Sequence, residues 1–249
     1  MASDLNYVSS CTQRFLELLD EYNTQITFFI TGNYYHAFPE MVERIYQCGH
    51  EIAYHGHTHQ KLTDSEILHQ ELILSADFLN QYAPKGFRAP WVYLPESLLP
   101  MLAEAGFEYD SSTLAVAGHY TMAQGISTFP VTSIPFFSNN IDYPKIVNTK
   151  MLYKEIPIGT GIMVSYFRKW YSALLTRYTN KHLPCIFYLH LWQIYPPPNA
   201  TYQGLRRIHA YPLEQYVRKW LQTHTFGKVS ELMTTNQPDK HFLTIDLEI

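Results

Sequence analysis

Two histidines four residues apart, His55 and His59, directly follow His50-Glu51-Ile52-Ala53-Tyr54, which reads as a strand. Imidazoles at this spacing reach one metal ion if the backbone turns after the strand. A catalytic zinc takes three protein ligands and leaves one position open for water. With 12 histidines in 249 residues a chance pair is expected, so the pair gains weight only from its company. His57 thickens the cluster and is an alternative ligand. Asp4 is a carboxylate that could complete a two-histidine, one-carboxylate site. It could instead be the general base that deprotonates water, or simply an exposed acid.

Three further positions have the residue types for hydrolytic chemistry. Arg88 precedes Ala89-Pro90, where a guanidinium can hold a catalytic carboxylate ionised, bind an anionic substrate group or form a structural ion pair. Asp110 could orient a histidine or cap the turn at Ser111-Ser112. His190, flanked by Leu189 and Leu191, is either a hydrogen-bonded core histidine or a general acid that protonates a leaving amine.

The elements that must position these residues alternate between two periods. Phe15, Leu16, Leu18, Leu19 and Tyr22 repeat at helical spacing within 12–22. Ile26 to Ile30 reads as a buried strand, and Pro39 to Gln47 as a helix with proline in its first turn and Gly49 past its end. Thr63-Asp64-Ser65-Glu66 has capping-box spacing and opens a helix to about Tyr82. Phe87 to Trp91 is strand-to-loop, because Pro90 disfavours helix before it. Pro95 to Ala105 reads as a helix and Phe107 to Asp110 as a strand. Residues 114–161 read as short strands and long loops. Tyr166 to Tyr178 is predicted helical, Cys185 to Trp192 is the strongest late strand, and Pro212 to Leu221 is a last helix. Strands and helices in alternation argue for parallel βα units, in which chemistry sits at the carboxyl ends of the strands. The candidate residues after Ile52 all fall at such ends, and the chain is expected to be one catalytic domain over residues 1–249.

Composition narrows the function classes. The chain is 46% hydrophobic and 16% charged with net charge −4, a globular composition without a basic stripe, so nucleic acid is not an expected partner. No apolar stretch reaches the ~20 residues that a spanning helix needs. Cys11, Cys48 and Cys185 read as reduced thiols, and with no signal segment visible a cytoplasmic location is expected.

Taken in order, six segments resemble the motifs of the polysaccharide deacetylase (NodB-like) superfamily. They are Thr27-Phe28-Phe29-Ile30-Thr31-Gly32, Gly49-His50-Glu51-Ile52, His55-Gly56-His57-Thr58-His59, Phe87-Arg88-Ala89-Pro90, Tyr109-Asp110-Ser111-Ser112 and Leu189-His190. Phe187 to Trp192 also resembles the branch found in exopolysaccharide and surface-glycan biosynthesis clusters. The resemblance implies a distorted (β/α) barrel and a divalent metal, usually zinc. It also implies hydrolytic removal of an N-acetyl group from a sugar, with a carbohydrate or glycan-lipid as substrate. His55 and His59 take the metal-ligand positions, Arg88 the position that orients the catalytic aspartate, and Asp110 the one that tunes the catalytic histidine, His190. Trp91, Pro90 and Trp192 are candidate walls of the sugar or acetate pocket.

The family's first motif is normally a hydrophobic strand ending in two acids, one the base and one a metal ligand. Here only Met1-Ala2-Ser3 precedes Asp4, and Asn6 stands at the second acidic place, so the first strand reads as truncated or divergent. Asn is a weaker ligand than a carboxylate, so lower metal affinity is expected, together with an unpaired barrel edge. Two other functions fit the same residues: hydrolysis of another amide (a formamide or a cyclic ureide or imide), or non-catalytic glycan binding.

Overall fold

The structure, a computed structural model, describes residues 5–137, 141–146, 148–197, 204–234 and 239–249. The strands are β1 Thr27–Ile30, β2 Glu51–Tyr54, β3 Gly86–Phe87, β4 Tyr109–Asp110, β5 Leu114–Ala115, β6 Thr121–Ala123 and β7 Ile126–Thr128. They continue with β8 Val131–Thr132, β9 Ile134–Pro135, β10 Glu155–Ile156, β11 Ile186–Leu189, β12 Thr225–Phe226 and β13 Lys240–Leu247. The helices are α1 Leu5–Glu21, α2 Gly32–Ala37, α3 Pro39–Gln47, α4 Ser65–Leu74, α5 Ala76–Tyr82 and α6 Leu99–Glu104. After these come α7 Gly161–Phe167, α8 Tyr171–Thr179, α9 Leu191–Ile194, α10 Glu214–Thr223 and α11 Glu231–Thr234.

Among the described residues nine strands form one sheet, in the order β11-β13-β1-β2-β3-β4-β7-β6 with β12 on β13. It is parallel from β11 to β7, and only β6 runs antiparallel. The separate β5–β8 pair approaches β11, where Ile186 N–H donates to Thr132 Oγ1 at 2.8 Å. The sheet therefore curls into an open, distorted barrel. Period-two alternation divides its faces. Phe29, Ala53, Tyr109, Ile186 and Phe242 fill the interior, while Phe28, Ile30, Ile52, Phe187, Leu243 and Ile245 join the larger core under the helices.

The predicted elements recur with informative differences. The first helix begins at Leu5 rather than Thr12, so the segment containing Asn6 is helical and exposed rather than a strand. The cap at 63–66 is Asp64, whose Oδ1 accepts from the backbone of Glu66 and Ile67 at 3.1 and 3.0 Å. The helix it opens breaks at Ser75 into α4 and α5, and the helix expected over 166–178 breaks between Phe167 and Tyr171.

The largest difference is β13. It lies between β11 and β1, with Thr27, Phe28, Phe29 and Ile30 in register with Thr244, Ile245, Asp246 and Leu247. The expected unpaired edge of β1 does not exist, because the C-terminal strand occupies it. Nearly the whole strand is buried, its one partly exposed residue being Lys240.

Candidate active site

The chain leaves β2 at Tyr54 and turns at Gly56, whose φ is +77°. A side chain there would need a strained backbone and would bring Cβ to 3.0 Å from Glu71 Oε2. Glu71, fully buried on α4, braces the turn. Its carboxylate accepts from the backbone of His57 and Thr58 at 2.6 and 2.9 Å, from Thr58 Oγ1 at 2.7 Å and from Gln60 Nε2 at 2.8 Å. This bracing returns His59 toward His55, and their rings lie 5.0 Å apart.

His55 is buried, and its Nδ1 lies 2.8 Å from the Arg88 carbonyl. A carbonyl only accepts, so Nδ1 carries the proton and Nε2 keeps its lone pair, the usual orientation of a metal-binding imidazole. Burial lowers the His55 pKa to about 4, despite opposing attraction from Asp246, and keeps the ring neutral.

The third member of the cluster is Glu248, immediately after β13. One ligand atom from each of His55, His59 and Glu248 lies within 4.8 Å of the others. His59 Nε2 and Glu248 Oε2 approach to 2.6 Å, an ion pair when His59 is protonated. Two imidazoles with one carboxylate are a donor set for zinc and related ions. Burial alone would raise the Glu248 pKa, but the His59 side chain beside it, with His190 nearby, holds it at about 2.

Asp246, two residues earlier, faces the same interior. Arg88 Nη1 donates to Asp246 Oδ1 at 2.9 Å and to Thr244 Oγ1 at 2.7 Å. Asp246 Oδ2 lies 4.0 Å from His55 Nε2. The fully buried Arg88 is held on its other side by Ser111, through Nη2 to Oγ at 2.9 Å and Nε to the carbonyl at 3.3 Å, and it lies 4.0 Å over the Phe29 ring.

The sequence-predicted residues divide accordingly. His55, His59, Arg88 and His190 converge on the carboxyl ends of the strands. Asp4 lies outside the described residues. The two acidic places read at Asp4 and Asn6 have occupants at the other end of the chain, Asp246 beside Arg88 and Glu248 among the histidines. His57 is engaged elsewhere, with Nδ1 2.9 Å from Ser75 Oγ and its ring against His36.

Asp110 is buried, and burial raises its pKa against the hydrogen bonds it accepts. Those bonds come from Ser112, whose backbone N–H is at 3.0 Å and whose hydroxyl also donates, and from Tyr143 Oη at 2.7 Å. Ser112 Oγ in turn accepts from Ala89 N–H at 2.7 Å, so Asp110 steadies the strand end that carries Arg88. The carboxylate beside His190 is instead Glu248, with Oε1 3.5 Å from Nδ1. His190 stacks on Trp192 at 5.4 Å and 12°, and Trp192 meets His209 edge-on.

Trp91 is 66% exposed, with its ring 5.8 Å from that of His59, and Pro90 is buried beneath the turn at Gly56. Sequence reading missed Asp246, Glu248, Glu71 and Tyr143. The signal for the first two is Leu243-Thr244-Ile245-Asp246-Leu247-Glu248, an apolar strand ending in two alternate acids, at the opposite end of the chain from where such a motif was sought.

Residues 3–109 match the polysaccharide deacetylase family model. The chain is 30% identical over 183 residues to the peptidoglycan deacetylase-like protein FGM2 of Gibberella zeae, covering 68% of this chain and 51% of that protein. It is 32% identical over 101 residues to a peptidoglycan-N-acetylglucosamine deacetylase of Bacillus cereus, covering 39% of this chain and 37% of that one. The matched region thus spans about half or less of these relatives. A Mycobacterium smegmatis structure assigned to the polysaccharide deacetylases shares the fold over 95% of this chain and 63% of its own, with TM-score 0.51 and 22% identity. The chain belongs to the polysaccharide deacetylase, or NodB-like, superfamily.

Proposed function

We propose that this protein is a metal-dependent hydrolase that removes the N-acetyl group from an amino sugar of a polysaccharide or glycan intermediate. The observation that carries the reading is the convergence of His55, His59 and Glu248 beside the Arg88–Asp246 pair. His55, His59 and Glu248 would hold a divalent ion, for which zinc is the best match to the donors. Such an ion polarises the amide carbonyl and makes water more acidic. Asp246 accepts the proton of the attacking water, with Arg88 fixing Oδ1 and leaving Oδ2 toward the ligand set. As the C–N bond breaks, His190 hands a proton to the departing nitrogen, so that acetate and a free amine leave. Trp192 stacks on His190, and Trp91 offers a flat apolar face to a sugar ring.

Residues 1–249 act in this reading as one domain, supported by the docking of β13 on β1, which joins both ends of the described chain in one sheet. Among the described residues no helix is long and apolar enough to cross a membrane. Free thiols at Cys11, Cys48 and Cys185 support a reducing, cytoplasmic setting, and the partners are a carbohydrate or glycan-lipid substrate rather than nucleic acid. The non-catalytic alternative loses its motive, an incomplete acidic motif, once Asp246 and Glu248 are in place.

The test measures metal content and acetate release from chitooligosaccharides for wild type, Asp246→Asn, Glu248→Gln, Asp4→Asn and His55→Ala/His59→Ala. About one ion per wild-type chain is expected, retained in Asp246→Asn with activity down roughly 10²–10⁴-fold. The double histidine variant should lose the ion, and Glu248→Gln should bind it more weakly. Wild-type activity in Asp246→Asn, or a metal lost with Asp4→Asn but kept in Glu248→Gln, would overturn the assignment.

A further inference from the structure

Around the β9–β10 pair, between β8 and α7, described residues form a ridge that exposes several large apolar side chains. The antiparallel pairing of β9 with β10 sets Ile134 opposite Ile156, and Phe136 N–H donates to the Lys154 carbonyl at 2.8 Å. That register brings Phe136 and Phe137 alongside Tyr153 and Leu152, which close the short turn before β10. Phe137 is 86% exposed and Tyr153 82%, while Ile134, Phe136, Ile146 and Leu152 are also exposed. Single exposed apolar residues are ordinary on a protein surface. Five of these, Ile134, Phe136, Phe137, Leu152 and Tyr153, lie on the β9–β10 pair and the chain that flanks it, the kind of grouping that marks an interaction site.

The polar residues of the ridge are also one-sided. Lys150 and Lys154 are exposed, and neither takes part in an ion pair among the described residues. The ridge's carboxylates at Asp142 and Glu155 are instead engaged by Lys145. Free ammonium groups beside Phe, Tyr, Leu and Ile complement a bilayer with anionic headgroups, where rings enter the interfacial zone and lysines meet phosphates.

The ridge lies at the active-site end of the barrel. It leaves β8 at the carboxyl end, Thr113 Oγ1 donates to the Asp142 carbonyl at 2.8 Å, and Tyr143 reaches Asp110 at the end of β4. The geometry points to a membrane-docking surface. Ile134, Phe136, Phe137, Leu152 and Tyr153 seat in the interface of an anionic bilayer, steered by Lys150 and Lys154, with the site mouth on the same end as the lipid.

Sedimentation of the full chain with vesicles of phosphatidylcholine, with and without one quarter phosphatidylglycerol, tests this without any turnover. Its failure would leave the hydrolase reading intact, and loss of hydrolysis would leave docking intact. Wild type should bind the anionic vesicles, and more weakly as salt rises. Phe137→Ser/Tyr153→Ser should weaken binding at least tenfold, and Lys150→Gln/Lys154→Gln should do so on anionic vesicles alone, by about tenfold. All these side chains are exposed, so thermal melts should match wild type. Failure of wild type to bind either vesicle, or variants binding as well as wild type, would overturn the proposal. So would a patch that instead mediates self-association, seen as Phe137→Ser/Tyr153→Ser converting a dimer to a monomer with vesicle binding unchanged.

Discussion

Replacing Arg88 with Met removes one charge from the centre of the barrel while keeping an unbranched apolar stem. The consequence follows from what the guanidinium leaves behind. Ser111 Oγ still donates to the Phe129 carbonyl at 2.8 Å, and Thr244 Oγ1 still donates to the Phe187 carbonyl at 3.3 Å, so both hydroxyls keep a partner. Asp246 does not, because Arg88 is its cation and the carboxylate is only 4% exposed. Breaking a buried pair from one side costs about 3–5 kcal/mol, most of it the stranded charge. For a domain of this size that corresponds to a fall in Tm of roughly 6–20 °C. The decisive comparison is Arg88→Met/Asp246→Leu, in which no charge is stranded. Urea denaturation should place this double variant within about 1–2 kcal/mol of wild type although it has lost the proposed base. A single variant that loses less than about 1 kcal/mol would refute the reasoning, as would a double variant no more stable than the single.

Other outcomes follow from the same contacts. Burial lowers His50 and His241 from 6.5 to about 4. Between those values the unfolded chain binds more protons than the folded one, so the neutral rings give full stability above pH 6.5 and lose it as pH falls toward 4. From pH 7.5 to 5 the loss should be about 2 kcal/mol per histidine, and His50→Gln should flatten the urea-derived pH profile by about that amount. Glu71→Gln puts an amide against the two N–H donors of the turn that carries the proposed ligand His59, and should cost about 2–4 kcal/mol and reduce metal retention during dialysis; unchanged retention would separate the turn from the site. Trp91→Ala should leave stability within about 0.5 kcal/mol, because the ring is exposed, and raise KM roughly tenfold with little change in kcat. A fall in kcat alone would remove Trp91 from substrate binding.

Much of this architecture is legible residue by residue. Helices α1, α3 and α10 announce themselves by apolar periodicity or by Pro39 and Gly49 at their limits, and β1 and β11 by short runs buried on both faces. These signals are local, since they depend on side chains three or four apart on a helix or on a few consecutive apolar residues. The clustered histidines belong to the same class: His55 and His59 sit on one turn, and Arg88 and His190 each follow a strand that is readable alone. The breaks at Ser75 and after Phe167 were less legible, because periodicity continues across a kink that tertiary packing imposes.

The carboxylates were not local. Parallel neighbours in a sheet carry no information about their separation along the chain, and β13 pairs with β1 across more than 200 residues, as the register of Thr27 with Thr244 shows. Sequence alone pointed to three histidines, His55, His59 and His190, and one guanidinium, Arg88, at strand ends in a βα chain that resembles the polysaccharide deacetylases. Only the tertiary structure decided which acids complete them. Pairing β13 between β11 and β1 sets Asp246 in the row of Phe29 and Ala53, facing Arg88, and carries Glu248 to His59. The same pairing satisfies the backbone edge of β1, which the sequence appeared to leave open, because hydrogen bonding and burial in a sheet depend on spatial neighbours and not on chain order.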